Sequence, residues 1–246
     1  MSKSKLQNLQ SPKGMHDILP QEQSWWDKAR KEVQVIADYY HYQRIDTALL
    51  ERAEVFEQAL GETSDIIEKQ MFIFRSRSGD RLALRPEATA AIVRSYVQHG
   101  LSHLGQPLKL FYFGPMFRKE QPQAGRFRQF HQAGFEIMGG DDDPVYDAQA
   151  ILAIYRFLER LKLKNLALHI NSIGCRVCRP NYRKKLIDYY KTLADKLCRD
   201  CRRRLKENPL RLLDCKNSSC QEYKEGAPII LDSLCVTCSR HFKRVL

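Results

Sequence analysis

Along the chain the apolar positions change period several times, and each change marks an element. Trp25, Ala29, Val33, Ile36 and Tyr40 recur at spacings of three and four, which predicts a helix over 21–42 after the Gly14-Met15-His16-Asp17 loop. Residues 46–51 read as a strand running into polar turn residues, and 53–60 as a short helix. Apolar stretches at 71–74 and 81–84 flank Ser76-Arg77-Ser78-Gly79-Asp80, the pattern of a β-hairpin. Arg85-Pro86-Glu87-Ala88-Thr89 opens a helix to about His99, with proline where helix starts accept it. Strands are predicted over 108–113 and 128–138, joined by a polar Gly/Pro loop at 117–127. A helix follows Pro144 to about Leu161, and 166–171 reads as one more strand. Hairpins interleaved with helices imply an α+β fold around an antiparallel sheet.

Composition narrows the class. With 246 residues, 43% hydrophobic and 28% charged, the chain can bury a core, and disordered or collagen-like classes are excluded. No stretch approaches the roughly 18–20 apolar residues needed to cross a bilayer, and Met1–Gln10 lacks the apolar centre of a signal peptide. A cytoplasmic protein with no membrane partner is expected. The net charge of +12 is uneven: residues 1–172 carry 23 basic and 21 acidic side chains, whereas 173–246 carry 18 and 8. All eight cysteines also lie in the second stretch, so the break is read as a boundary between two domains, 1–172 and 173–246. The excess charge points to a polyanion, nucleic acid before membrane.

In a reducing cytoplasm, closely paired cysteines read as metal ligands before disulfides. The pairs are Cys175/Cys178, Cys198/Cys201, Cys215/Cys220 and Cys235/Cys238. Two pairs complete a tetrahedral four-thiolate zinc site, which is structural because no coordination position stays open. Taken in chain order, Cys175, Cys178, Cys198 and Cys201 form one site and Cys215, Cys220, Cys235 and Cys238 the other, although spacing alone leaves the connectivity open. The competing reading is eight incidental buried thiols. Around them lie Arg176, Arg179, Arg183, Lys184, Lys185, Arg199, Arg202, Arg203, Arg204, Lys206 and Arg211, either a solvated face or a surface for phosphates.

The strand at 128–138 is unusual in its polar face. Alternation sets Arg128, Phe130, Gln132, Gly134 and Glu136 on one side, offering a guanidinium, a ring, a carboxamide and a carboxylate in a row. That is a floor for a charged, partly planar ligand, or else the solvated edge of a sheet. His131 falls on the opposite side and reads as structural, and His99, His103 and His169 receive no role.

Phe117-Arg118-Lys119-Glu120 followed by Gly125-Arg126-Phe127-Arg128-Gln129-Phe130-His131-Gln132-Ala133-Gly134-Phe135-Glu136 resembles motif 2 of class II aminoacyl-tRNA synthetases, in the form carried by histidyl-tRNA synthetases. Arg85-Pro86-Glu87-Ala88-Thr89 is similar to that family's histidine-binding segment, and Asn208-Pro209-Leu210-Arg211-Leu212-Leu213-Asp214 resembles its insertion domain. The resemblance implies part of a class II synthetase-like antiparallel sheet with flanking helices, plus a small helical Cys-rich insertion domain. It also implies activation of histidine by ATP with Mg2+ to histidyl-adenylate, transfer to the tRNA 3′ end, and a homodimer.

Roles follow position by position. Arg118 matches the catalytic arginine bridging the amino-acid carboxylate and the ATP α-phosphate, a task suited to a planar fork of donors. Glu120 and Arg126 match residues that hold ATP, and Phe130 the ring that stacks on adenine. Glu87, Thr89 and Gln132 match positions around the substrate's α-amino group, and Ala88 is counted with them as histidine-binding. Glu136 matches the residue facing the imidazole, whose N–H a carboxylate accepts while rejecting apolar analogues. The segment 173–246 matches the part that contacts the acceptor arm of tRNA.

Two departures qualify these expectations. Thr47-Ala48 stands where motif 1 carries Thr-Pro, which weakens the inference of a dimer. No Arg-Gly-Leu-Asp-Tyr-Tyr segment, motif 3 or anticodon-binding domain precedes Leu246, so the expectation is the N-terminal part of a synthetase, forming little histidyl-adenylate alone. Other readings are the regulatory paralogue of ATP phosphoribosyltransferase and a zinc-dependent RNA-binding protein.

Overall fold

A computed structural model describes residues 9–60 and 66–246. The Met1–Gln10 stretch considered above lies, up to Asn8, outside the described residues. The chain divides into two compact units, Met1–Asp142 with Gln149–Asn165, and Asp143–Ala148 with Leu166–Leu246.

The first unit is built on β5 (Leu108–Phe117) and β6 (Gln129–Met138), ten-residue antiparallel strands in register from Leu108 opposite Met138 to Phe117 opposite Gln129. Period-two alternation gives each strand two distinct faces. One face takes the odd positions of β6: Ala133, Phe135 and Ile137 pack with Phe111 against Val33, Ile36 and Ala37 of α1 (Gln23–Tyr39) and Ala153 and Phe157 of α4 (Pro144–Arg160). His131 lies there too, its ring 4.4 Å from Trp26 and 5.8 Å from Phe113. Burial and the neighbouring Arg30 and Arg85 lower its pKa. The inward tryptophan of α1 is therefore Trp26, a heptad before Val33. Trp25, read above as part of the apolar face, is 71% exposed because 100° per residue over eight positions carries it off the stripe of Val33.

The opposite face takes Leu108, Leu110, Tyr112 and Met116 of β5 with Phe130 and Met138 of β6, packed under Ala88 and Ile92 at the start of α3 (Thr89–Gln98). A two-residue β1 (Gln43–Arg44) extends the sheet, parallel to β5. A second three-stranded sheet orders β2 (Leu50–Arg52), β4 (Arg81–Leu84) and β3 (Phe72–Arg75), all antiparallel, with Phe56 of α2 (Ala53–Leu60) and Ala83 in its core.

Three predicted elements differ. The strand expected over 46–51 begins only at Leu50, because Arg85 takes the preceding carbonyls: its Nη1 donates to Thr47 O at 2.9 Å and its backbone N–H to Leu49 O at 2.9 Å. The helix expected from Arg85 starts at Thr89, and Pro86 sits before it rather than in its first turn. Residues 166–171 form no strand among the described residues, and Leu168 is 53% exposed. Alternation supplies a face but not a partner ladder, and among the described residues no strand pairs with this segment.

The second unit is helical from residue 178 onward: α5 (Cys178–Lys191), α6 (Arg199–Glu207), α7 (Ser218–Glu225) and α8 (Val236–Val245), linked by short 3₁₀ turns. Tyr182, Leu186 and Tyr190, four residues apart on α5, meet Leu197, Leu212, Ala227 and Ile230, with Cys201, Cys215 and Cys220 in the same core. Tyr182 and Tyr189 donate their hydroxyls to the carbonyls of Pro228 and Tyr223, both at 2.9 Å.

Candidate functional site

Arg85 directly follows β4 and is 6% exposed, the buried cation among the described residues of the first unit. Its Nε donates to Pro115 O at 3.0 Å, Nη1 reaches both Thr47 O and Thr47 Oγ1, and the N–H of Phe117 donates to its carbonyl. Burial lowers its pKa, yet a guanidinium remains cationic. A Cβ on Gly114 would stand 2.6 Å from Arg85 Nη2, so a larger residue there would have to displace the guanidinium. A buried arginine thus ties the end of β4 to the last residues of β5.

Beside it, Glu87 acts locally. Its carboxylate accepts the N–H of Thr89 at 2.7 Å and of Ala90 at 2.9 Å, capping α3 and satisfying two of the helix's unpaired donors. Thr89 then donates its hydroxyl to Glu136 on β6 at 2.8 Å. Glu136 is mostly buried, and burial raises its pKa, Thr89 opposing and Glu87 adding to the rise. Tyr112, across the strand pair, is pushed up to about 12, first by burial and then by the negative charge of Glu136 and Glu87. Its ring occupies the space over Gly134, where any Cβ would collide with it. Gln132, opposite Gly114, has its Oε1 buried with no partner among the described residues. A buried acceptor without a donor costs roughly 1–3 kcal/mol, which a ligand's N–H would recover.

At the far end of the strands, Arg118 donates Nε to Pro86 O at 3.0 Å and lies over the Phe130 ring at 5.1 Å from its centre. With Nε used inward, the paired terminal nitrogens have no partner among the described residues, which presents a fork to an anion. The loop from 118 to 128 is closed by Arg118 N–H to Arg128 O, Arg128 Nε to Glu120 O, and a Gln123–Arg126 bridge. Arg126 Nη1 stands 3.7 Å from Glu120 Oε2. Gly14, at φ +83°, accepts the N–H of Arg128, and a Cβ there would meet Pro122 at 2.7 Å. The Gly14 loop therefore fixes the strand-joining loop from below.

The structure brings Thr89, Gln132, Glu136, Arg118 and Phe130 to one sheet face or its rim. Glu87 faces the helix start, Ala88 is buried under it, and Glu120 and Arg126 lie together in the loop. Arg85, Gly114, Tyr112 and Gly134 were given no role by the sequence reading. Their signal was a glycine standing opposite or beside a large residue in paired strands.

In the helical unit the cysteines group differently from chain order. Cys175, Cys178, Cys235 and Cys238 form one cluster and Cys198, Cys201, Cys215 and Cys220 the other, each with its sulfurs within 4.8 Å of one another. The chain-order grouping is corrected. The packing of Leu197, Leu212, Cys201, Cys215 and Cys220 in one core brings the two inner pairs together, and the outer pairs meet where α5 and α8 begin. All eight are free thiols. The N–H groups of Cys178 and Val177 draw the Cys175 thiol down to about 6, whereas burial raises Cys201 and Cys220. Along α5 a groove of about 970 Å³ is lined by Arg176, Arg179, Arg183, Lys184 and Lys191. The other basic residues are not all on this groove: Lys185 donates to Ser233, and Arg204 Nη1 to Arg211 O.

Comparison with known proteins fits this arrangement. A family described as histidyl-tRNA synthetase matches residues 14–177. The histidine–tRNA ligase of Desulfitobacterium hafniense is 46% identical over 237 residues, 96% of this chain and 56% of that protein. That of Desulforudis audaxviator is 47% identical over the same length and shares. The apo histidyl-tRNA synthetase of S. aureus superposes with a TM-score of 0.75 at 30% identity, covering 96% of this chain and 53% of that one. An ATP phosphoribosyltransferase regulatory subunit/histidyl-tRNA synthetase from Bacillus halodurans shares the fold, with a TM-score of 0.60 at 24% identity over 89% of this chain and 59% of that one. The fold is that of an aminoacyl-tRNA synthetase core. Within that class, the chain belongs to the histidyl-tRNA synthetase family. It spans just over half the length of the curated relatives it matches. Among the described residues no helix is long and apolar enough to cross a membrane.

Proposed function

We propose that this chain carries the histidine- and ATP-binding part of a cytoplasmic histidine–tRNA ligase, with residues 1–172 as catalytic core and 173–246 as a basic Cys-rich insertion domain toward tRNA. The observation that carries the reading is the Arg118 fork, held by Pro86 O and the Phe130 ring on the face that also bears Thr89, Gln132 and Glu136. In-line attack of a carboxylate on an α-phosphate brings two anions together. A fixed guanidinium lowers that repulsion and orients both partners without reorganising as charge develops.

On this reading ATP enters as its magnesium complex, its adenine against Phe130, with Glu120 and Arg126 in the loop beside it. The substrate's ammonium donates to the orphaned Gln132 Oε1 and to the carboxylate of Glu87. Its imidazole N–H donates to Glu136, which Thr89 already orients. The groove of α5 supplies phosphate contacts that position RNA and carry little sequence information. The cysteine clusters give the same domain structural zinc. A homodimer is proposed as well, supported by Leu49 and Leu50, each 45% exposed, at the motif 1 position.

Calorimetric titration with histidine and with ATP separately tests the reading. Saturable binding of both is expected, with histidine binding lost in Glu136→Ala and ATP binding weakened in Phe130→Ala. Binding of histidine without ATP would favour a regulatory role, and binding of neither would overturn the proposal.

A further inference from the structure

The groups that the histidine and ATP reading leaves unused are the eight thiols, and their arrangement is more specific than a count of pairs. We propose that they hold two zinc ions in nested four-thiolate sites: an outer site of Cys175, Cys178, Cys235 and Cys238, and an inner site of Cys198, Cys201, Cys215 and Cys220. The proposal rests on the structural-zinc reading above and goes beyond it in partition, topology and order of access.

Three observations carry it. First, zinc at about 2.3 Å from each sulfur sets tetrahedral S···S edges of about 3.8 Å. The sulfurs of Cys175 and Cys178 stand 3.5 Å apart and those of Cys198 and Cys215 3.9 Å apart, with every sulfur of each cluster within 4.8 Å of the rest. A disulfide would need about 2.05 Å. Second, each cluster is ringed by backbone N–H groups aimed at sulfur, the donors a four-thiolate centre requires to disperse its charge. Cys178 Sγ accepts from Cys235 N at 3.0 Å and Cys175 Sγ from Val177 N at 3.4 Å. In the inner cluster Cys220 Sγ accepts from Cys198 N at 3.3 Å and Cys215 Sγ from Asn217 N at 3.4 Å. Third, each donor set is four sulfurs and nothing else; soft sulfur ligands select zinc or iron over hard cations, and four of them filling a tetrahedral site would leave no open position for chemistry.

Nesting has a topological meaning. The outer site joins the first turn of α5 to the first turn of α8, so it clasps the two ends of the helical segment, and Cys175 and Gly174 also line the basic groove. The inner site closes the loop between α6 and α7 inside the core that Leu197 and Leu212 share. In the outer site Cys175 is exposed, Cys235 and Cys238 are half-buried and Cys178 is buried, whereas in the inner site Cys201, Cys215 and Cys220 are buried and Cys198 is half-buried, so the outer site is the one reagents reach first.

Metal content of the purified chain, grown with zinc, tests both levels. Two zinc ions per chain are expected, and the variant with Cys175→Ser, Cys178→Ser, Cys235→Ser and Cys238→Ser should retain one. Grouping in chain order would cost that variant both ions and overturn the nesting. A wild-type chain with no zinc and eight titratable thiols, with disulfides, or with iron in their place would overturn the zinc reading itself. Native protein treated with N-ethylmaleimide until half its zinc is released gives the same answer without substitution. Labels confined to the four outer cysteines are expected, and labels spread over both clusters would refute the order of access.

Discussion

The paired strands β5 and β6 and the helical cysteine unit both fix polar side chains in place, by opposite means. In the strands the geometry is a sum of many small terms: main-chain register, glycines that admit a guanidinium or a phenol ring, and single hydrogen bonds such as Thr89 to Glu136. In the helical unit the apolar core is small, three of its ten buried residues are cysteines, and the decisive terms are few and large. A site built of many small terms degrades gradually under substitution. One built around the proposed zinc would fail at once.

The largest effect expected to separate the two is metal removal. Structural zinc in small domains contributes on the order of 10 kcal/mol. Prolonged exposure to a strong chelator should abolish hydrogen-exchange protection in α5–α8 while β5 and β6 keep theirs. Equal protection in both regions before and after would break the comparison.

Within the strand-built region the largest single term is Arg85. Arg85→Met leaves the carbonyls of Thr47 and Pro115 without their donor in a buried setting, and should lower the unfolding free energy by about 3 kcal/mol in denaturant titration. A loss below a few tenths would show that the tie between the sheets is incidental.

Glu87→Ala is a smaller change. Losing the cap on α3 should cost about 1 kcal/mol, and a Glu87→Asp variant that keeps a carboxylate in reach should recover part of it.

The subtlest test concerns pH. The folded-state pKa of Glu136 is raised by burial, so its folding contribution is most favourable while it is protonated, below the ordinary value of 4.5, and is lost as pH rises through the raised one. Glu136→Gln keeps an acceptor for Thr89 and removes this dependence. It should match the parent near pH 4 and exceed it in stability at neutral pH, and an unchanged pH profile would contradict the assigned environment.

Much of this was legible in the residues, for reasons that also explain the misses. Period-two alternation in 128–138 placed Gln132 and Glu136 on one face and His131 on the other, because a strand's geometry leaves no third choice. The same alternation at 166–171 predicted a strand that does not form, since a pattern of faces says nothing of a neighbour to pair with. Cys-X-X-Cys spacing identifies which thiols can chelate together but not which pairs meet, a question settled by how Leu197 and Leu212 pack. Glu87 was legible as part of a segment that opens a helix, and the sequence could not reveal that it stands before the first turn with its carboxylate serving two backbone donors.

The attachment of residues 47–49 to the sheet has one more consequence. Arg85 grips this segment through the carbonyls of Thr47 and Leu49 and the hydroxyl of Thr47, and none of these bonds involves the side chain at 48. Proline and alanine are interchangeable to such a grip. The side chain at 48 is therefore free to vary without disturbing that grip.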